Sequence, residues 1–190
     1  MPQPDHISRL GVPDPATLDD DLRAIWGKCE EKLGFVPAVF SAYSLKPQRL
    51  RHFMAMYNEI MLSPSGLSRL EREMVAVVVS SANRCYYCLV AHGAAVRQLS
   101  GDPELGEMMA LNYRVAALDA RQRAMLDFAW KMTTTPWLIE QADRDALAAA
   151  GLSPEDIFDL AETIGFFNLS NRMASATDMM PNPQYHRQAR

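Results

Sequence analysis

The sequence has no surplus of positive charge: 19 Lys and Arg face 23 Asp and Glu, a formal net charge of −4. Nucleic acid and anionic membrane surfaces are therefore not expected as its main partners. No apolar run approaches the roughly 20 residues that span a bilayer. The first residues, MPQPDHISRLGVPDP, have neither the basic nor the apolar stretch of a signal peptide. The expected location is cytoplasmic. Only three cysteines are present, Cys29, Cys85 and Cys88, too few for a disulfide scaffold. There is no G-x-G-x-x-G and no segment that reads as a flavin or nicotinamide site, so no cofactor is expected.

What is there reads as helices. Hydrophobic residues make up 48% and charged residues 22%, a composition that fits one globular domain over residues 1–190. Thr17-Leu-Asp-Asp20 is expected to open a helix with Thr17 as N-cap, followed at helical spacing by Leu22, Ile25, Trp26, Cys29 and Leu33. Gly34 ends it, and GFVPAVF reads as a connector. A second helix runs from about Pro47 to Met61. The run MVAVVVSSA, residues 74–82, is β-branched like a strand, and a strand before CxxC would point to a thioredoxin fold. However, Ser68-Arg-Leu-Glu71 is a capping box, and no other segment offers partner strands. The spacing predicts a buried helix here.

Asn83 is expected to cap the next helix, which ends near Ser100-Gly101. Asp119-Ala-Arg-Gln122 opens another helix, and Pro136 breaks it. A short helix ends at Ala150-Gly151. Ser153-Pro-Glu-Asp156 starts the last one, with serine as N-cap and proline in the first turn. The fold class is all-α. The expected divisions are an N-terminal arm (1–16), N-terminal helices (17–66), a core with the CxxC pair (67–118), C-terminal helices (119–183) and a polar, frayed tail (184–190).

Chemistry concentrates in NRCYYCLVAHG, residues 83–93. If Cys85, Cys88 and His92 share one helix, their side chains fall on one stripe. Two cysteines three apart in a first turn are within reach of a disulfide, and free N–H groups there stabilise a thiolate. His92, one turn past Cys88, is placed to relay its proton. Such a dithiol can attack a peroxide oxygen, form a sulfenic acid and close to a disulfide. Zn²⁺ is a competing reading, because two thiolates, an imidazole and a carboxylate can bind it. Usual C-x₂-C zinc sites lie on turns and take their other ligands from a distant segment. Here three ligands lie within eight residues of a helix, so no metal is expected.

These residues resemble the alkyl hydroperoxidase D-like family, within the carboxymuconolactone decarboxylase superfamily. The motif of that family is a glutamate, eleven residues, CxxC, three residues and a histidine. Glu73, Cys85, Cys88 and His92 match it. GFVPAVF, GLSRLERE and FFNLSNRMA are similar to its "peroxidase-related" branch, a likeness running from about residue 17 to 183. The resemblance implies a multi-helix bundle that assembles into homo-oligomers (dimer, trimer or hexamer). It implies a thiol-dependent peroxidase with Cys88 as the peroxidatic cysteine, Cys85 as the resolving cysteine and proton donor, and Glu73 and His92 as proton relay. The partners it implies are a peroxide substrate and a thiol or dithiol reductant protein. Well-studied peroxidase members carry a second histidine where this chain has Tyr87, so a shorter relay is expected here, with weaker or redirected activity. The decarboxylase branch lacks the CxxC pair, so its activity is not carried over. From another class, the alternative is a non-catalytic redox-sensing or metal-binding helical module.

The remaining residues have plainer readings. Tyr86 and Tyr87 are expected as pocket wall or core, and Trp130 and Trp137 as packing or interface. Asn168, Asn171 and Arg172 are expected to satisfy a helix end or meet another subunit. Cys29 and the 12 methionines read as apolar filler.

Overall fold

The computed structural model describes residues 3–190. Among them lie nine α-helices and no strand: α1 (Asp20–Leu33), α2 (Ala38–Tyr43), α3 (Pro47–Leu62), α4 (Arg69–Ala82), α5 (Tyr86–Ser100), α6 (Pro103–Asn112), α7 (Ala120–Thr134), α8 (Gln141–Ala149) and α9 (Pro154–Ala176). Among the described residues no helix is long and apolar enough to cross a membrane.

Helix α4 lies at the centre, packed by α5, α6, α7 and α9. Every residue from Arg72 to Ser80 is buried. This explains how a valine-rich segment becomes a helix. Each valine costs a few tenths of a kcal/mol in helix propensity, whereas full burial of each contributes about 1.5–3 kcal/mol. The Ser68–Glu71 capping box then fixes the start. Capping boxes also open α7, at Asp119 and Gln122, and α9, at Ser153 and Asp156.

Several local expectations are corrected. Asp19, not Thr17, accepts the N–H of Leu22 and caps α1, while Thr17 closes a 3₁₀ turn. Leu33 is exposed and Cys29 only half-buried, so the inward stripe of α1 ends early. The connector GFVPAVF stops at Pro37, after which Ala38 begins α2. Helix α6 had a legible start, Asp102 before Pro103, where the Asp102 side chain accepts the N–H of Glu104. The polar tail is not frayed. Pro183–His186 form a 3₁₀ turn, and the carbonyls of Tyr185 and Gln188 accept hydrogen bonds from Arg97. The N-terminal arm lies along the same end, with Arg9 N–H donating to the Thr177 carbonyl and Met180 N–H to that of Ile7.

Candidate active site

The turn between α4 and α5 places the cysteines. Asn83 closes α4 instead of opening α5. Arg84 follows with φ of +53°, a left-handed conformation that costs a non-glycine residue about 1–2 kcal/mol. The chain then reverses so that Cys85, in extended conformation, is the N-cap of α5 and Cys88 sits in its first turn. Cys85 therefore stands just before the helix that carries Cys88 and His92. Both thiols are free and buried, Cys85 at 1% and Cys88 at 0% exposure.

The electrostatics separate the two sulfurs. Cys85 is lowered to about 7, chiefly by the hydrogen bond that the Cys88 thiol gives it, against the opposing effect of burial. The N–H of Cys88, the charge of His92 and the Ser175 hydroxyl favour its thiolate further. Cys88 is pushed well above its ordinary range by that same hydrogen bond, by burial and by the charge on Cys85. Of the two sulfurs, the surroundings thus favour the thiolate on Cys85 and the proton on Cys88.

Helix α9 completes the surroundings of Cys88. Ser170 Oγ lies 3.9 Å from Cys88 Sγ, and Asn171 offers the sulfur a hydrogen bond that favours its ionised form. Asn171 is held in turn, donating from Nδ2 to Ser80 Oγ at 3.0 Å and accepting from Asn83 Nδ2 at 2.9 Å. Asn168 accepts a second bond from Asn83 and donates to Thr133 Oγ1. This polar layer ties the C-terminal end of α4 to α9, as expected for a helix end, but Asn171 also reaches the cysteine. Ser170 was not singled out from the sequence. It lies 82 positions from Cys88, and no local pattern marks it.

Glu73, buried on α4, meets His92 of α5, with Oε2 at 2.7 Å from Nδ1. The neighbouring Glu71 faces elsewhere, bonding its own capping box and Arg121. A carboxylate only accepts, so Nδ1 carries the hydrogen and Nε2 is left as the nitrogen able to take up a proton. The edge of Phe167 fixes the ring further, with centroids 4.6 Å apart.

Glu73 and His92 line a cavity of about 250 Å³, together with Tyr87, Ser170, Tyr185 and a largely aromatic wall that includes Phe53 and Phe166. The Tyr87 hydroxyl accepts the N–H of Val39 at 3.1 Å. Tyr87 is thus a buried wall residue that fixes α2 against α5. Tyr86 is half-exposed beside His186. Burial, with the charges of Cys29 and Glu73, pushes the Tyr185 hydroxyl up to about 12. A larger cavity of about 730 Å³ lies between the N-terminal arm and residues 180–183, and none of Glu73, Cys85, Cys88 or His92 lines it. Among the described residues, no group of three or more His, Cys, Asp or Glu is placed to hold a metal ion.

The fold has close counterparts. The model of the carboxymuconolactone decarboxylase family matches residues 47–130. A solved structure from Silicibacter sp. TM1040, described as an uncharacterized peroxidase-related protein, is 57% identical over 100% of both chains, with a TM-score of 0.95. One from Ralstonia eutropha JMP134, described as an alkylhydroperoxidase AhpD core and an uncharacterized peroxidase-related protein, is 42% identical. It covers 99% of this chain and 98% of its own, with a TM-score of 0.94. The debrominase Bmp8 shares the fold at 18% identity, covering 98% of this chain and 97% of its own, with a TM-score of 0.78. No curated protein matches the chain significantly in sequence. The chain belongs to the carboxymuconolactone decarboxylase family, as an AhpD-like, peroxidase-related member.

Proposed function

We propose that the protein is a thiol-dependent peroxidase that reduces hydroperoxides through Cys88 and Cys85. The observation that carries this reading is the pairing of a proton-sharing dithiol at the start of α5 with a buried His92–Glu73 pair one turn further on, at the wall of a cavity. The shared proton moves from Cys88 to Cys85. The Cys88 thiolate then attacks the distal peroxide oxygen, and the O–O bond breaks. The leaving alkoxide takes the Cys85 proton and departs as the alcohol, leaving Cys88 as sulfenic acid. His92 Nε2 takes up a proton from solvent; the Cys85 thiolate attacks that sulfur, and the hydroxide leaves as water with the proton that His92 delivers. Glu73 orients His92 and balances its charge during the transfer. Neither cysteine lines the cavity; Ser170 does, and its Oγ lies 3.9 Å from Cys88 Sγ, so it links the cavity to the sulfur. A thiol or dithiol partner reduces the disulfide.

The test is turnover of peroxide with a dithiol reductant, together with intact mass after one equivalent of hydroperoxide. The wild type loses two hydrogens on the peptide that holds both cysteines. Cys85→Ser and Cys88→Ser each abolish turnover. If both variants turn over like wild type, the proposal is wrong. A second reading, a redox sensor, draws on the complete burial of both sulfurs; it predicts disulfide formation without sustained turnover. The exposed apolar side chains Leu111, Val115, Trp137 and Phe158 support self-association, which light scattering reads as dimer, trimer or hexamer.

A further inference from the structure

The C-terminal tail lies outside the residues matched by the family model, yet it lines the cavity. Beyond α9 the chain is tied at two points. Asn182 Oδ1 accepts the N–H of Ala38 at 2.7 Å, and its Nδ2 donates to the Val36 carbonyl at 2.9 Å. Three and six residues on, Arg97 holds the chain from α5: Nη2 donates to the Tyr185 carbonyl at 2.8 Å and Nε to the Gln188 carbonyl at 3.1 Å. Arg97 is only 5% exposed. A Cβ on Gly106 of α6 would come within 2.7 Å of Arg97 Cγ, so the glycine leaves the space that this arginine occupies. The Gln188 side chain adds a bond to Gln98.

The two residues that Arg97 holds, Tyr185 and Gln188, form part of the wall of the cavity that Glu73 and His92 also line. Phe35 packs against the Tyr185 ring, with centroids 5.1 Å apart. Tyr185 is therefore held at two points: its backbone by Arg97 and its ring by an edge-to-face contact with Phe35. An apolar cavity of about 150 Å³ accommodates benzene, so one of about 250 Å³ accommodates a ring with a few further atoms, and not a long acyl chain.

We propose that the tail is a size-selecting strap, with Tyr185 as the specificity-determining residue that confines the site to small organic hydroperoxides. The proposal rests on the peroxidase reading for its substrate, but the wall itself is tested without it. Tyr185→Ala removes the ring and leaves the carbonyl that Arg97 holds. Arg97→Gln releases the strap. Tyr185→Phe keeps the ring.

The experiment measures kcat/KM for tert-butyl hydroperoxide and for a long-chain fatty-acid hydroperoxide, with dithiothreitol as reductant. In parallel, diethyl pyrocarbonate labels His92, followed by peptide mass mapping; this readout needs no peroxide chemistry. Helical circular dichroism identifies the folded variants. Tyr185→Ala raises the long-chain to tert-butyl ratio by at least about tenfold and speeds His92 labelling, and Arg97→Gln does the same. Tyr185→Phe retains the wild-type ratio. If folded Tyr185→Ala keeps both the wild-type ratio and the wild-type labelling rate, the proposal is overturned. If no hydroperoxide is turned over by any form while His92 labelling still accelerates in Tyr185→Ala, the strap is supported and the peroxidase reading fails.

Discussion

Replacing Cys88 with alanine isolates the interaction that charges Cys85. The Cys88 thiol supplies the leading cause of the Cys85 shift to about 7. A hydrogen bond to a charged group contributes about 1.5–3 kcal/mol, which is roughly one to two pK units. Burial still opposes ionisation, and the Cys88 backbone N–H and His92 still favour it. Cys88→Ala therefore titrates at about 8 or higher. Near pH 7.5 the thiolate fraction falls from about three quarters to about one quarter or less. The assay is thiolate absorbance at 240 nm across the pH range, with iodoacetamide alkylation mapped to Cys85. The alkylation rate falls by about threefold or more. A midpoint unchanged or lowered in the variant would refute the reasoning. So would a wild-type protein whose Cys85 ionises only in the ordinary range near 9.0. Either result would mean that the sulfurs do not share a proton, and the proposed first step would lose its base.

Further expectations follow from other contacts. Glu73→Gln keeps the shape beside His92 but removes the carboxylate that balances its charge; kcat/KM for peroxide falls by about 10²–10⁴, read by steady-state kinetics, with helicity unchanged. Cys85 has a folded value of about 7 against an ordinary 9.0, so the unfolded chain binds more protons between those values and stability rises with pH there. That gain is at most roughly 2–3 kcal/mol, is complete near pH 9 and is lost as pH falls through 7; above 9, the raised Cys88 opposes it. Urea unfolding of the reduced protein at both ends of this window should show the rise, and Cys85→Ser should flatten it. At the left-handed Arg84, glycine is neutral or stabilising, whereas valine destabilises by about 1–2 kcal/mol; thermal melts distinguish them. Removing the Ser153 cap of α9 with alanine costs about 1 kcal/mol, measured as a shift in urea midpoint.

The chain's own residues determined the helices. Ser68, Asp119 and Ser153, each with a polar residue three positions later, marked three helix starts, because capping depends only on a few adjacent side chains. The Glu73, Cys85, Cys88 and His92 spacing was also legible, since residues on neighbouring helices joined by a short turn have little freedom to separate. Choosing Glu73 over Glu71, however, came from the family spacing; geometry now pairs Glu73 with His92 and turns Glu71 towards Arg121. Tertiary structure alone decided the rest. The left-handed Arg84 moved Cys85 off the helix and made it the N-cap. Packing of α9 brought Ser170 and Asn171 to Cys88 from across the sequence. A tail that reads as polar and loose is held by a buried Arg97, whose partners are backbone carbonyls that any residue could supply. Local signals fix elements because their energies are local. The charge on a sulfur and the wall of a cavity depend on burial and on groups far along the chain, which exist only once the chain has folded.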